Sequence, residues 1–272
     1  AMRVLATRRG RAYDPAVVDA FCRAGPRLLA DSADAGLARL RELEPAPVRV
    51  PESRLDELLE VMADFTDAKL PYAIGHSRAV ARLAASACAE VGLDGVFTDR
   101  TRRAGLVHDL GRVGISNRIW DKPAPLTMAE HERVRLHPYL SEQVLSRSAL
   151  LRPLASLAGA HHERANGSGY YRGVGAEELT LPQQILAAAD AYAAMTQPRP
   201  HRPALPAPAA EAELTGQARD GWLEPRAVAA VLAAAGHPRP ARSGLWPAGL
   251  TDREVDVLRL ACRGATRHAV GL

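Results

Sequence analysis

The stretch AGLVHDLGRVG, from Ala104 to Gly114, decides which fold this sequence can adopt. Its apolar beginning is typical of a buried helix, yet the run ends in an adjacent histidine and aspartate, His108-Asp109. Burying such a pair costs free energy unless hydrogen bonds or a metal ion compensate it, or unless water reaches it. The stretch therefore predicts a buried helix that ends in a polar pair, and it leaves the compensating partner open.

The composition of the whole chain favours helices. Of the 272 residues, 47% are hydrophobic but only 4% are aromatic, and alanine and leucine abound. Sheet cores are richer in aromatic and β-branched side chains, so this composition predicts an all-α protein. The net charge of +4 suits anionic ligands and is too small to indicate nucleic-acid binding by itself.

The cysteines and the apolar runs bear on where the protein works. Cys22, Cys88 and Cys262 lie far apart without CxxC spacing, which argues against a disulfide framework or a zinc ribbon and fits a reducing cytoplasm. The sequence has no apolar run of about 18 residues and no signal-peptide pattern, so neither membrane insertion nor export is expected. The sequence does not determine the oligomeric state, and a homodimer is one possibility.

Proline and glycine divide the chain into four predicted segments. These are an N-terminal helical extension over 1–47, a main domain over 48–236, a linker over 237–249 and a C-terminal segment over 250–272. Apolar periodicity predicts helices over 53–69, 72–91, 99–110, 127–146, 151–161 and 181–195. Thr127 and Glu130 match a capping box at the start of one of them.

Two segments of the chain resemble each other. Gly10 to Gly25 reads GRAYDPAVVDAFCRAG, and Gly221 to Gly236 reads GWLEPRAVAAVLAAAG. Each has an acidic residue before proline and then a short apolar helix that ends at glycine. Because the second segment closes the main domain, the first is interpreted as the closing element of an earlier, related unit. Chance similarity of two Ala/Val helices is the alternative.

Five histidines and two aspartates fall in or at the ends of apolar helical runs. They are His76, His108, His137, His161, His162, Asp109 and Asp190. A single histidine on an apolar helix is most simply a hydrogen-bonded core residue. Seven such groups would need many separate hydrogen-bonding solutions, whereas metal binding accounts for them together.

The ligand types narrow the choice of metal. Imidazole and carboxylate without thiolate suit Fe, Mn or Zn, and ligands from several helices are typical of di-iron carboxylate bundles. Seven candidate ligands exceed the capacity of one ion. Two divalent ions are therefore predicted, with a carboxylate such as Asp109 able to bridge them.

The order of these residues resembles the HD-GYP subgroup of the HD phosphohydrolases. The pattern covers residues 51–236 and runs from His76 through His108-Asp109, His137, His161-His162-Glu163 and Gly167-Ser168-Gly169-Tyr170 to Asp190 and Ala194-Met195-Thr196. The resemblance implies an HD-domain-like helical bundle with a metal site in its core. It also implies two or three metal ions, often iron or manganese, and hydrolysis of cyclic di-GMP to the linear dinucleotide or to GMP.

Carried over residue by residue, the resemblance assigns roles at the metals. His108 and Asp190 become ligands of one ion with His76 nearby, and Asp109 becomes the bridge. The other ion takes the three later histidines, His137, His161 and His162. The implied chemistry is attack of a metal-bound hydroxide on phosphorus, while the ions neutralise charge on the attacking and phosphoryl oxygens.

The resemblance also implies substrate contacts. The stretch QPRPHRPA resembles the family's RPY[RK] segment, which makes Arg199 and Arg202 phosphate contacts, although a solvated basic loop is the alternative. Arg112 stands where the family usually has lysine and is expected to contact phosphate at the catalytic centre. Gly169 and Tyr170 belong to the loop that would bind the nucleotide.

Two further positions depart from the family pattern. Tyr171 replaces the proline of the GYP signature, so the loop is expected to bind the nucleotide, or a partner protein, differently. Tyr72 stands where three-metal members carry a carboxylate. Since tyrosine replaces a carboxylate poorly as a ligand, this departure favours two metals over three.

The C-terminal stretch LTDREVDVLRLACRGAT, Leu250 to Thr266, resembles the start of a LuxR-type helix-turn-helix. An ordinary capped amphipathic helix is the alternative. Little more than the opening helix precedes Leu272, so no DNA binding is expected of this chain.

Three functions remain as hypotheses. The leading one is a dimetal phosphodiesterase acting on cyclic di-GMP or a related cyclic dinucleotide. The first rival is the same chemistry on another phosphoester, which Tyr171 and Arg112 favour. The second rival is a weakly catalytic, nucleotide-sensing module of a transcription regulator. The helix-turn-helix resemblance favours that module, whereas the complete set of candidate metal ligands favours the enzyme.

Overall fold

The computed structural model describes residues 9–10, 13–28, 42–43, 50–199, 202–238, 254–255 and 258. The chain divides into two compact units, Ala1–Glu52 and Ser53–Leu272. This division falls close to the boundary predicted near residue 48, and the four predicted segments stay predictions. Most of the predicted linker and of the predicted helix-turn-helix start lies outside the described residues.

The described part of the chain contains helices and no strand, which confirms the prediction of an all-α fold. Unit one contains α1, Pro15–Leu28. The helices of unit two are α2 Leu55–Ala68, α3 His76–Glu90, α4 Gly95–Val107, α5 Asn117–Trp120, α6 Met128–Arg135, α7 His137–Ser146, α8 Arg152–Gly159, α9 Leu181–Thr196, α10 Ala207–Arg219 and α11 Pro225–Ala234. Short 3-10 turns cover Glu52–Arg54, Pro71–Ala73 and Leu110–Gly114.

The helix predicted over 127–146 is wrong in one respect, because it is two helices. The predicted capping box is present at its start, where the Glu130 N–H donates to Thr127 Oγ1 at 3.3 Å and the Thr127 N–H donates to Glu130 Oε2 at 2.7 Å. The break comes at Leu136, and Pro138 lies in the first turn of the new helix. Proline is tolerated there but not inside a helix, so His137 becomes the first residue of α7.

Two other helices differ from the sequence predictions. Helix α4 begins at Gly95, earlier than predicted, because the Asp94 side chain accepts the Phe97 N–H at 2.9 Å and caps the helix there. Helix α10, Ala207–Arg219, was not predicted, since Pro206 and Pro208 suggested a break. Proline at the first positions of a helix starts it rather than interrupts it.

Small side chains let the central helices approach closely. Ala84, Ala87 and Ala104 are fully buried, and a Cβ placed on Gly105 of α4 would lie 2.8 Å from the Ala81 Cα of α3. A larger residue at 105 would therefore push α3 and α4 apart. Helix α3 also contacts α9 and α11, and α7 contacts α8 and the 3-10 turn after α4. This packing brings the histidine-bearing helix ends together.

The two segments that resemble each other in sequence both form a helix that begins at the expected proline. Helix α1 starts at Pro15 and α11 starts at Pro225. Three of the four glycines that bound these segments, at 10, 221 and 236, have positive φ. The origin of α1 in a related unit stays a prediction. No described helix is long and apolar enough to cross a membrane.

Candidate metal centre

All seven predicted ligands come together in the interior of the second unit, and six of them sit at helix ends. His76 begins α3 directly after Gly75, whose φ of 79° redirects the chain. The other positions are His108-Asp109 just after α4, His137 at the start of α7, His161-His162 after α8 and Asp190 within α9. All except His162 are buried. Sequence reasoning therefore found a true spatial cluster, and metal binding by it stays a proposal.

The carboxylate of Asp109 lies at the middle of this cluster and is fully buried. Its Oδ2 lies 3.1 Å from His108 Nε2 and 3.9 Å from His76 Nε2. Its Oδ1 lies 3.3 Å from His137 Nε2 and 3.5 Å from His161 Nε2. The two oxygens thus face two different groups of imidazoles.

Three of the histidines are oriented in the same way. The Nδ1 of each donates to the main-chain carbonyl three residues earlier: His108 to Gly105 at 2.8 Å, His137 to Val134 at 2.6 Å and His161 to Ala158 at 2.6 Å. These carbonyls belong to the last turns of α4, α6 and α8, where helical partners are missing. The bonds hold each ring with its Nε2 toward Asp109, as is usual for histidines that bind metal.

His76 and Asp190 make up the remaining side of the cluster. His76 Nδ1 lies 2.9 Å from Gln197 Oε1, and His76 Nε2 lies 3.0 Å from Asp190 Oδ1. Asp190 Oδ1 is also 3.7 Å from His108 Nε2, and its Oδ2 is 4.0 Å from His162 Nδ1. Asp190 therefore connects His76 and His108 with the pair at 161–162.

Several inward-facing atoms of the cluster lack hydrogen-bond partners in the described part of the chain. They are His108 Nε2 and both carboxylate oxygens of Asp109. His137 Nε2 and His161 Nε2 lie 3.1 Å apart, a contact that at most one proton can satisfy. Buried polar atoms left in this state are costly, and a cation removes the cost. The donor set of imidazoles and carboxylates fits divalent iron, manganese or zinc.

Ligand atoms come close enough to share an ion in three overlapping groups. The atoms of each group lie within 4.8 Å of one another, and the groups are His137, His161 and His162; His76, His108 and Asp190; and His108, Asp109 and His161. The first two groups share no residue. The third group shares His161 with the first and His108 with the second, and Asp109 lies between them.

Burial and neighbouring charges shift the pKa values of the cluster in different directions. Burial would lower the pKa of His108, but the carboxylates of Asp109 and Asp190 outweigh it and raise the pKa to about 10. Burial lowers the pKa of His161 to about 4. Burial would raise the pKa of Asp109, yet the Arg112 guanidinium and His108 hold it well below its usual range. The two buried carboxylates therefore favour positive charge at this position.

Arg112 lies against the cluster. Its Nη1 is 2.9 Å from Asp109 Oδ2, an ion-pair distance without hydrogen-bond geometry, and its guanidinium carbon lies 5.5 Å from the centre of the Trp120 ring. Arg112 Nε and Trp120 Nε1 are buried without acceptors among the described residues. Arg112 therefore neutralises Asp109 in this structure, and the phosphate contact predicted for it stays a prediction.

The two arginines predicted as a phosphate clamp have different surroundings. The Arg199 guanidinium lies 5.6 Å from the centre of the Tyr72 ring and has no ion-pair or side-chain hydrogen-bond partner in the described residues. Burial and the charge of Arg112 lower its pKa. Arg202 instead donates to the main-chain oxygens of Ala194 at 2.6 Å and Met195 at 3.0 Å. The structure places Arg199 with Arg112, whereas Arg202 caps the end of α9.

Tyr170 packs against the metal-ligand candidates. Its ring centre lies 4.7 Å from that of His162 and 6.4 Å from that of His137. The Arg135 guanidinium lies 5.0 Å from the same ring. Burial raises the pKa of the Tyr170 hydroxyl. Tyr170 thus forms one wall of the centre.

The buried carboxylate of Glu163 holds the loop that carries Tyr170. Glu163 accepts the N–H groups of Arg172 at 2.8 Å, Gly173 at 3.0 Å and Val174 at 3.2 Å. A Cβ on Gly169 would collide with the Glu163 main chain, so only glycine fits there. Gly169 is therefore needed for close packing of the loop.

Tyr171, which replaces the proline of the GYP signature, fixes the loop to α7. Its hydroxyl donates to Glu142 Oε2 at 2.6 Å, and Arg172 pairs with the other oxygen of Glu142. Glu142 lies on the helix that begins with His137. The loop is thus tied to the same helix that supplies a candidate ligand.

Five residues around the centre were not assigned a role from the sequence. Gln197, Glu142 and Trp120 carry no spacing that would identify them, and Glu163 was noted only as part of the pattern. Ser141 is similar: its hydroxyl donates to the His108 carbonyl at 2.6 Å and accepts the Gly111 N–H at 2.8 Å, which holds the turn after α4. Only tertiary contacts identify such residues.

Comparison with known proteins identifies the family. Residues 60–227, more than half of the chain, match the family model described as the HD domain. The chain belongs to the HD domain family. The matched region contains all seven candidate ligands and ends before the segment predicted as a helix-turn-helix start.

Named relatives of this HD domain chain are phosphodiesterases. It is 34% identical over 211 residues to 3'3'-cGAMP-specific phosphodiesterase 3 of Vibrio cholerae, a match that covers 76% of this chain and 46% of the relative. It is 35% identical over 153 residues to a cyclic di-GMP phosphodiesterase of Thermotoga maritima, covering 56% of this chain and 42% of the relative. The chain therefore spans less than half the length of these relatives.

A solved structure also matches. The crystal structure of V-cGAP3, a cyclic GMP-AMP specific phosphodiesterase of Vibrio cholerae, superposes with a TM-score of 0.50 at 29% identity, covering 86% of this chain and 55% of that chain. The match supports the HD-domain fold for the helical unit described above.

Proposed function

We propose that this chain is a dimetal phosphodiesterase of the HD-GYP subgroup that hydrolyses a cyclic dinucleotide, cyclic di-GMP or a close relative such as 3'3'-cGAMP. One observation carries the proposal: the two oxygens of a single buried carboxylate, Asp109, face two separate groups of histidines. A carboxylate placed in this way is suited to bridge two divalent ions.

The proposed ligand sets follow from these contacts. His76, His108, Asp190 and Asp109 would hold one ion, and His137, His161, His162 and Asp109 would hold the other. Iron or manganese is preferred for this donor set, with zinc as an alternative. When bound, the two ions supply a water that is nucleophilic at neutral pH and positive charge for the phosphoryl oxygens. His108, His137 and His161 keep Nε2 available because their Nδ1 protons are donated to main-chain carbonyls.

The chain's own cationic residues support an anionic substrate. Arg112 and Arg199 are close enough for the charge of one to lower the pKa of the other, and Arg199 has no carboxylate partner in the described residues. Two neighbouring guanidiniums, one of them unpaired, favour binding of phosphate oxygens. We propose that Arg112 contacts the phosphate at the metals and that Arg199 contacts the substrate's second phosphate.

The names of the relatives support the choice of substrate class. Both relatives cited above are named for hydrolysis of 3',5'-linked cyclic dinucleotides, one for 3'3'-cGAMP and one for cyclic di-GMP. The hydrogen bond from Tyr171 to Glu142 supports activity despite the missing proline, because it holds Tyr170 against His162. We propose that Tyr170 and Gly169 shape the nucleotide side of the site.

The test is metal analysis combined with hydrolysis assays on the same preparation. The protein is loaded separately with iron, manganese and zinc, and ions per chain are counted. Cyclic di-GMP, 3'3'-cGAMP, cyclic di-AMP and bis(p-nitrophenyl) phosphate are then assayed. We expect two ions per chain and turnover of at least one of the first two dinucleotides.

Each rival function gives a different result in this assay. Turnover of the generic diester without turnover of any dinucleotide would favour another phosphoester substrate. Nucleotide binding without turnover at full metal loading would favour the sensing module. His131→Ala is the matched control, because this histidine is exposed on α6 and should change neither metal content nor activity.

A further inference from the structure

Among the described residues, Gln197 is the one side chain within hydrogen-bond distance of the Nδ1 of a candidate metal ligand. We infer that Gln197 is a positioning residue that selects the tautomer and the orientation of His76. The inference rests on the proposed metal site. It adds a residue to which neither the ligand pattern nor the sequence comparisons assign a role.

The need for such a residue follows from where the histidines lie on their helices. His108, His137 and His161 each follow the last turn of a helix, where carbonyls without helical partners are available three residues earlier. His76 is the first residue of α3. His137 also begins a helix, but it directly follows α6, whereas His76 follows Gly75, whose φ of 79° separates it from the preceding 3-10 turn. In the described residues the His76 ring bonds only the side chains of Gln197 and Asp190 and no main-chain carbonyl. An acceptor for His76 Nδ1 must come from elsewhere in the fold.

Helix α9 supplies that acceptor. Gln197 directly follows the last residue of α9, and its Oε1 lies 2.9 Å from His76 Nδ1. Asp190 of the same helix lies 3.0 Å from His76 Nε2. One helix therefore contacts both nitrogens of the ring. With Nδ1–H donated to the amide oxygen, Nε2 presents its lone pair to the side on which Asp190 and Asp109 lie.

The opposite tautomer would not serve a metal. If the amide nitrogen faced Nδ1, the proton would lie on Nε2, which would then donate to Asp190 as in an ordinary buried His–Asp pair. A metal ligand needs an unprotonated Nε2. The two tautomers of His76 can therefore be distinguished by a residue at position 197 that accepts a hydrogen bond but cannot donate one, because such a residue fits only the tautomer with the proton on Nδ1. Glutamate at position 197 is such an acceptor, and leucine is neither donor nor acceptor.

The experiment measures metal affinity rather than turnover. Wild type, Gln197→Leu and Gln197→Glu are titrated with manganese or zinc against a competing chelator, and ions per chain are counted. Loss of a hydrogen-bond partner to a ligand typically costs about 10- to 100-fold in metal affinity. We expect Gln197→Leu to weaken one ion by about this factor and leave the other within about threefold. Gln197→Glu should bind both ions within about threefold of wild type.

Controls separate this inference from the function it rests on. Gln217→Leu, on the exposed side of α10 where the amide donates to Glu213, should not change either affinity. If wild type binds two ions and Gln197→Leu binds both equally well, the positioning role is wrong while the metal site stands. Equal losses in the Leu and Glu variants would assign Gln197 a merely structural role. If wild type binds no metal, both the site and the inference are wrong.

Discussion

The two sides of the candidate centre are built in different ways. On the side of His137 and His161, each ring is held by a carbonyl three residues earlier in the chain. On the side of His76, both ring contacts come from residues 114 and 121 positions away. His108, which lies next to His76, is also held by a local carbonyl, so the difference lies in His76 itself, whose ring is oriented by the packing of α3 against α9.

This difference bears on how each side responds to change. A main-chain carbonyl at a helix end cannot be removed by substitution, so the rings it holds should keep their orientation in most variants. The orientation of His76 depends on side chains and on the distance between α3 and α9, which the buried alanines of these two helices help to set. Variants near α3 and α9 should therefore weaken one ion before the other.

The largest expected effect removes the carboxylate that both sides share. Asp109→Ala should lose both ions and reduce hydrolysis by more than about 100-fold, because removing even a hydrogen-bond partner of a ligand costs up to that factor in metal affinity or activity. Metal analysis and circular dichroism on the same sample test this, and the helical signal should persist. Two ions still bound to this variant would show that Asp109 is not the bridge.

Removing one ligand from the group of His137, His161 and His162 should cause the loss of one ion and leave the other bound. His137→Ala is expected to bind one ion instead of two, while the group of His76, His108 and Asp190 retains its own. Hydrolysis should still fall by more than about 100-fold, because both ions are needed for the proposed chemistry. Native mass spectrometry counts the ions directly. Simultaneous loss of both ions would show that the two sides do not bind independently.

The arginines near the end of α9 should differ from each other. Arg199→Ala should weaken the affinity for a cyclic dinucleotide by about 10- to 100-fold. A hydrogen bond to a charged group contributes about 1.5–3 kcal/mol, which corresponds to a change of this size in the dissociation constant. Its metal content and its turnover of bis(p-nitrophenyl) phosphate should change little, since that substrate has no second phosphate.

Arg202→Ala should instead lower the melting temperature and leave dinucleotide affinity within about threefold, because its donors bind carbonyls of α9. Calorimetric unfolding and a binding titration on both variants make the comparison. If the two variants lose affinity equally, the clamp predicted from the sequence is correct and the capping role is secondary.

The smallest expected effect concerns the loop on the His162 side. Tyr171→Phe removes one hydrogen bond to Glu142, about 1 kcal/mol, and should raise the KM for the dinucleotide about fivefold with kcat little changed. Tyr139→Phe is the matched control, because Tyr139 contacts Tyr171 through its ring. A Tyr171→Phe variant with unchanged KM would show that Glu163 and Arg172 hold the loop without this bond.

Much of the fold was predictable from local signals. The capping box at Thr127, the prolines that begin α1 and α11 and the apolar periodicity located most helices, because these features act within a few residues. The break at Leu136 was missed although Pro138 signals it, since an apolar period of 3.6 residues continues across the break. Helix α10 was missed because its first-turn proline resembled a loop signal.

For the site, the sequence by itself determined which residues could be ligands. Imidazoles and carboxylates at apolar positions are costly to bury singly, so their number and order already indicated a shared metal centre. The tertiary structure decided what no spacing contains: that Asp109 lies between two histidine groups, that Gln197 reaches His76, and that Arg202 caps a helix while Arg199 lies beside the Tyr72 ring. Those contacts depend on how closely the helices pack, and packing is a property of the whole core rather than of any segment.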